Sequence, residues 1–199
     1  KGGTQFRAMN PSTGKGLKIR SFTPSMSAML EYFGATPVTL GFSEVYPALQ
    51  KGVVSCGVTS PTSANTGKWM EVTTHFMPLS VSGAVQGHFM NLDSWNKLSS
   101  SEQAKLEKGF KKLENDLWDL ANTVNDDAIR CIVGEEPCEK HTKYNLKRVI
   151  LSDSDTAKVK EAALKVVLPT WKKTCNNVDK NCTDTWNKTV GKVAGMTIK

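Results

Sequence analysis

The sequence predicts an α/β fold built on a parallel sheet, and three observations between Gly14 and Pro61 carry that expectation. Short apolar runs recur at residues 17–20, 37–40 and 53–56, a capped helical stretch separates each run from the next, and turn residues punctuate the whole. Parallel neighbours need crossover connections, and helices between the strands supply them.

The first run, Leu17-Lys18-Ile19-Arg20, leads to Thr23-Pro24. This pair reads as a hydroxyl N-cap with proline in the first turn, where its missing N–H costs nothing. Gly34 stops that helix. The second run leads to Ser43, read as the N-cap of residues 44–50, and Lys51-Gly52 closes that helix ahead of the third run, Val53-Val54-Ser55-Cys56. In such sheets ligands settle at the carboxyl ends of the strands, where helix N-termini present free N–H groups. Arg20 stands at one of those ends; the alternative for the same position is a surface salt bridge. Arg7, Arg20, Arg130 and Arg148 are the only arginines among 26 basic residues, and an arginine kept in a lysine-rich chain points to a need for its geometry.

Further on, residues 69–72 read as a helix end leading into a crossing segment at residues 73–75, and residues 80–90 alternate like a strand. Residues 91–98 form a short helix, and Ser99 with Glu102 makes a capping box. From there Leu106, Phe110, Leu113, Leu117, Leu120, Val124 and Ala128 recur at spacings of three and four. The pattern predicts an amphipathic helix of about 28 residues, roughly 40 Å long, whose apolar stripe belongs to a core. Residues 144–151 supply a further strand. Ser154 or Asp155 caps a helix over 156–173 that Pro169 kinks, and a last helix over 182–193 ends at Gly195.

Composition is ordinary for a globular protein: 199 residues, 39% hydrophobic and 23% charged, with a formal net charge of +7. No apolar run reaches membrane-spanning length. The lysines are scattered rather than interleaved with aromatics, so the charge points to small anions and not to nucleic acid.

Cys131 and Cys138 bracket one short polar loop, and Cys175 and Cys182 bracket another of equal length. Two local disulfides are expected, which belong in an oxidising compartment. Each closes a small loop, so each contributes near the low end of about 2–4 kcal/mol. The competing reading is a zinc site made by Cys131, Cys138 and His141, against which stand the long gap between the cysteines and the want of a fourth ligand. Cys56 is left over: a small apolar filler after a buried strand, or a nucleophile with His75 or His88 as base.

The runs GLKIR and GATPV, the phrase FSEVYPALQKGVV, the segment KWMEVTTHF and the stretch NLDSWNKLSSSEQAKLE resemble, in order and spacing, the DctP-type solute-binding proteins of tripartite ATP-independent periplasmic (TRAP) transporters. The resemblance implies a periplasmic-binding-protein-like, class II two-lobe architecture, here mainly lobe II plus the returning part of lobe I. Residues 4–77 would be the α/β core of lobe II. Residues 78–115 would return through lobe I into the long lobe-bridging helix, and residues 116–199 would complete that helix and the helical part of lobe II. Relatives open with several βα units that precede Lys1, and the chain starts without an initiator methionine, an apolar signal region or a cleavage signal. It is therefore expected to be a processed or truncated piece, with half of the pocket supplied elsewhere.

The resemblance also implies a periplasmic protein that performs no catalysis and uses no cofactor or metal. It would capture a small organic acid by hinge closure and deliver it to the membrane subunits of a TRAP transporter. Arg20 corresponds to the arginine that pairs with the substrate carboxylate, through two parallel charge-assisted bonds that a lysine cannot reproduce. The loop after the third strand carries an asparagine in the family; here Thr59 falls opposite it, with Cys56 and Ser60 beside it, so the amide donor is gone. A second arginine of the family falls near Arg7, and Gln5 is an equal candidate for its place. Glu44, in the FSEVYPALQ helix, completes the candidate set. The rivals are a carboxylate-processing enzyme using Cys56 and a non-binding piece that self-associates through uncovered apolar surface.

Overall fold

β1 (Lys18–Ser21) is the central strand of a three-stranded parallel sheet ordered β2-β1-β3, in a computed structural model that describes residues 15–81 and 87–198. β2 (Thr36–Thr39) lies on one side with Arg20 opposite Val38, and β3 (Cys56–Gly57) on the other with Arg20 opposite Gly57. Pro37 cannot donate to a ladder, and it sits in the edge strand β2, where that lack is tolerated.

α1 (Pro24–Tyr32) follows β1 with Thr23 as N-cap, its hydroxyl accepting from the Met26 N–H, and Gly34 turns the chain at φ +76°. α2 (Phe42–Gln50) opens two residues earlier than the sequence indicates, with Gly41 and not Ser43 as N-cap. The Glu44 carboxylate reaches back to accept the Gly41 N–H at 2.7 Å, which satisfies a donor the helix itself cannot. The third strand is shorter and later than expected: Val54 is fully buried but unpaired as strand, and only Cys56–Gly57 joins the ladder.

α3 (Pro61–Thr66), capped by Ser60, and a 3₁₀ turn (Trp69–Val72) lead into β4 (His75–Phe76), which pairs in parallel with β5 (Lys147–Arg148). Of the expected strand over 80–90, residues 82–86 lie outside the described residues, and the flanking positions carry no strand. α4 (Leu92–Asn96) follows, capped by Asn91.

α5 (Ser100–Val133) is 34 residues long, about 50 Å, and begins at the expected Ser99–Glu102 capping box. Its stripe does not lie in a core. Leu106, Leu113, Leu117 and Leu120 are exposed, Phe110 is 45% exposed and Trp118 64%, whereas Ala128, Cys131 and Ile132 at the far end are completely buried. Among the described residues the buried part of α5 is its last turns, its main partner is α3, and near its start Gln103 donates to the Trp95 carbonyl of α4. The amphipathic pattern was real; what it lacks among the described residues is a partner.

Asp127 fastens that packed end. Its carboxylate accepts the backbone N–H groups of Glu139 (2.9 Å) and Lys140 (3.1 Å) and meets His141 Nδ1 at 2.7 Å. The Cys131–Cys138 disulfide, with Cα atoms 5.0 Å apart, closes the same loop. Beyond it, the buried Asn65 of α3 both donates to the Thr142 carbonyl (2.7 Å) and accepts the Thr142 N–H (3.1 Å). The chain then enters β5.

The C-terminal part is helical but not in the expected pieces. α6 (Asp153–Ala162) is capped by Ser152 rather than by Ser154 or Asp155, its hydroxyl accepting the Asp155 N–H at 3.1 Å. A π segment (Ala163–Val167) joins it to α7 (Leu168–Val178). Pro169 lacks the N–H that would bond back into that segment, so the chain widens there and proline falls in the first turn of α7. The final helix breaks at Thr189 into α8 (Cys182–Lys188) and α9 (Val190–Ala194), with Gly195 at φ +63° ending it. The Cys175–Cys182 disulfide, Cα atoms 5.8 Å apart, links α7 to α8.

Two outcomes are expected for the 199-residue chain. Ile132→Ala removes a buried side chain and lowers stability by about 2–5 kcal/mol in urea unfolding, whereas Leu113→Ser, on the exposed stripe, changes it by about 0.5 kcal/mol or less. Backbone bonds and His141 hold the Asp127 carboxyl down at about 2, below its ordinary 3.8. A depressed carboxylate stabilises the fold above its unfolded pKa and loses that effect as pH falls through the folded one. Comparing wild type with Asp127→Asn, the stability difference should therefore be full above about pH 4 and vanish towards pH 2.

Candidate functional site

The site is built on the carboxyl end of β1. Arg20 is only 4% exposed, held there by the strand's central place in the sheet. Its Nε donates to the Leu40 carbonyl at 3.1 Å and its Nη1 to the Val58 carbonyl at 2.8 Å, so it reaches the residues that follow β2 and β3. The guanidinium carbon lies 4.7 Å from the Phe22 ring centre and 5.7 Å from that of Trp69, both within cation–π range. Burial pulls the guanidinium below its ordinary pKa, yet arginine keeps its charge at any neutral pH.

No carboxylate among the described residues pairs with Arg20; the ion pairs seen, all between residues 111 and 188, join acids to lysines, to His141 and to Arg130 and Arg148. A buried cation is costly unless it is paired. Two carbonyl oxygens and two ring faces offset part of that cost and leave the net charge unneutralised. The surface salt bridge weighed for Arg20 is thus not what the structure shows.

Trp69 is set by a close approach. Its ring stacks on Phe42 with centres 5.4 Å apart and presses on β3, where a Cβ on Gly57 would stand 2.9 Å from Trp69 Cζ3. Glycine at 57 therefore lets the ring lie beside Arg20's strand. Nothing in the local pattern of Ser55-Cys56-Gly57 signals this, because the constraint comes from a residue twelve positions away.

A cleft of about 340 Å³ has walls that include Phe22, Val58, Thr59, Ser60, Phe76 and, from α5, Asn125; Arg20 is not on that wall but lies behind it, bonded to the Val58 carbonyl and packed on the Phe22 ring. Thr59 and Ser60 line this cleft, one and two residues after the Val58 whose carbonyl Arg20 holds. The Ser60 hydroxyl is partly committed, since it donates to Ser63 Oγ at 2.8 Å and accepts the Ser63 N–H at 3.1 Å as the cap of α3. Glu44 is engaged on the Gly41 N–H. Gln5 and Arg7 lie outside the described residues. Phe22, Phe76 and Asn125 were not among the sequence candidates; a ring beside Arg20 in β1 is the one local signal, and the other two come together only through the fold.

Cys56 faces a second, smaller cavity of about 160 Å³ lined mainly by apolar side chains, with His75 also on its wall. Burial pushes the thiol up to about 11, so it stays protonated and a poor nucleophile. His75 Nδ1 is taken by Thr74 Oγ1 at 2.8 Å. The zinc reading also loses its ligands: Asp127, Cys131 and His141 do converge, but the sulfur of Cys131 is bonded to Cys138 and cannot serve as a thiolate.

Comparison with known proteins places this geometry. The model of the bacterial extracellular solute-binding protein family 7, DctP, matches residues 4–174. The chain belongs to that family. Among curated relatives, the C4-dicarboxylate-binding periplasmic protein DctP of Rhodobacter capsulatus is 28% identical over 127 residues, 63% of this chain and 38% of that protein. Among solved structures, a TRAP periplasmic solute-binding protein from Desulfovibrio salexigens with bound orotic acid aligns with a TM-score of 0.71 at 16% identity, covering 92% of this chain and 56% of that one. One from Shewanella oneidensis with bound succinate gives 0.66 at 19% identity, covering 87% and 53%. The DctP-family chain thus has the α/β fold of TRAP-type periplasmic binding proteins and spans about half the length of the structures it matches. No helix among its described residues is long and apolar enough to cross a membrane.

The Gly57 contact is directly testable. Gly57→Ala should displace Trp69 and lower stability by about 1–3 kcal/mol, the ordinary cost of overpacking, with a shift in tryptophan fluorescence; an unchanged unfolding midpoint and spectrum would show that the ring moves aside freely.

Proposed function

We propose that this chain is part of an extracytoplasmic receptor of the periplasm that captures a small carboxylate and delivers it to the membrane subunits of a TRAP transporter. The observation that carries the reading is the buried guanidinium of Arg20, without a carboxylate partner among the described residues, bonded to Val58 and packed on Phe22, both of which line a cleft of about 340 Å³. A carboxylate arriving there supplies the missing countercharge, and charge-assisted bonds to a planar donor fork are short and directional. Relatives with bound succinate and orotic acid support a carboxyl-bearing ligand.

Thr59 and Ser60 are assigned to the ligand's flank, while Glu44 serves the α2 cap and Cys56 the apolar cavity behind the sheet. Gln5 stays a candidate for a further polar contact. The protein performs no bond-making: ligand contacts from two lobes stabilise a closed form, and only a ligand that touches both shifts the equilibrium. Residues 4–77 form the core of lobe II in this reading, and α5 bridges the lobes. Its exposed stripe of Leu113, Leu117 and Leu120 is then the face that meets the half of lobe I to which this chain has no counterpart, rather than a surface for self-association.

Titration calorimetry on the full-length protein tests the assignment. Arg20→Lys should fold normally and weaken carboxylate binding by about tenfold to a hundredfold, about 1.5–3 kcal/mol. Unchanged affinity in that variant would remove Arg20 from the site.

A further inference from the structure

We propose that Asp127, Cys131, Cys138 and His141 form a zinc site when the Cys131–Cys138 disulfide is reduced, so that one cluster of side chains holds either a disulfide or a metal ion. The sequence offers Cys131, Cys138 and His141 without a fourth ligand. The fold supplies it: Asp127, one helical turn before Cys131 on α5, meets the His141 ring across the loop.

The donor atoms of Asp127, Cys131 and His141 lie within 4.8 Å of one another. Zinc–ligand bonds of about 2.0–2.3 Å set neighbouring donors of a tetrahedral site about 3.3–3.8 Å apart. Cys131 Sγ stands 3.6 Å from Asp127 Oδ2, already at that spacing. His141 Nδ1, now 2.7 Å from the same oxygen, has to draw back by only about half an ångström. Cys138 brings the fourth donor, since its sulfur is bonded to that of Cys131 and lies 3.5 Å from the His141 carbonyl oxygen. Once that bond is cut the two sulfurs part to the same spacing, with the half-buried Cys138 turning and the fully buried Cys131 staying in place.

The surroundings suit a metal. The side chains of Asp127 and His141 are almost completely buried, and the backbone N–H groups of Glu139 and Lys140 hold the two carboxylate oxygens at 2.9 and 3.1 Å, which is the outer support that orients metal ligands. Two thiolates and one carboxylate carry three negative charges. Zinc leaves one of them, and the Arg130 guanidinium, 3.9 Å from Asp127 Oδ1, stands beside it. The chemistry balances with a dithiol as reductant: it gives two electrons and two protons to the disulfide and becomes a cyclic disulfide itself. Zinc then displaces the two thiol protons to water, and the neutral imidazole keeps its one proton on Nε2. Either closure ties residues 138–141 to the end of α5 that carries Asn125 and Ile129 to the cleft.

The test is zinc protection in the full-length protein, reduced with dithiothreitol, desalted under argon, mixed with zinc chloride, labelled with iodoacetamide and mapped by peptide mass spectrometry. Zinc should slow alkylation of Cys131 and Cys138 at least about tenfold and leave Cys175 and Cys182, reduced in the same sample, unprotected. Cobalt(II) in place of zinc should give a thiolate-to-cobalt charge-transfer band and the visible bands of a tetrahedral site, and the disulfide-bonded protein should give neither. His141→Gln should weaken zinc binding at least about tenfold against a competing chelator. Cys131 and Cys138 alkylated as fast with excess zinc as without it, equal protection of both cysteine pairs, or zinc affinity indifferent to His141→Gln would overturn the site. Loss of the native circular dichroism on reduction that zinc fails to restore would overturn it equally.

Discussion

A single buried arginine ties the ends of the central sheet together, and the site depends on it. Arg20 lies in β1, and its side chain donates to Leu40 after β2 and to Val58 after β3. Those bonds cross the carboxyl ends of all three strands, where no ladder continues. In the proposed reading, the charge that makes them strong is also the charge that a ligand neutralises. Phe22 and Trp69 reduce the cost of burying that guanidinium and leave its net charge in place.

The second fastening lies at the far end of α5. Asp127 gathers two backbone N–H groups and His141, the Cys131–Cys138 disulfide closes the loop beside it, and Asn65 of α3 pairs reciprocally with Thr142. Together they anchor the long helix at its C-terminal end, where its buried residues lie. That anchoring brings Asn125 and Ile129 of α5 to the cleft that Phe22 and Thr59 also line. The N-terminal turns of the helix extend away with their apolar side chains exposed, held by capping and by exposed charge pairs such as Lys112–Asp116 that contribute little to the fold.

Much of the architecture was legible because it is written locally. Thr23-Pro24, the Ser99–Glu102 box, Gly34 and Gly195 each specify a helix end through the backbone's own hydrogen-bonding needs, and the strand–helix alternation up to Pro61 specifies the parallel sheet. Errors gathered where one local signal competes with another. Gly41 took the cap from Ser43 because Glu44 reaches back to it, and Pro169 widened the chain into a π segment instead of bending a continuous helix. The stripe on α5 misled for a different reason: periodicity reports that a face wants burial, not that a partner is present to bury it.

Residue chemistry and order alone determined the parallel α/β core, the two local disulfides and the choice of Arg20 as the likeness-bearing cation, since each follows from neighbours a few positions apart or from one strand's place in the series. The tertiary structure alone decided that Arg20 is buried without a countercharge among the described residues, that Glu44 caps α2 while Cys56 lines an apolar cavity, and that Phe22, Phe76 and Asn125 share one cleft. These are facts of burial and of contacts between residues far apart in the chain, and such contacts exist only once the sheet, α3 and the end of α5 have packed.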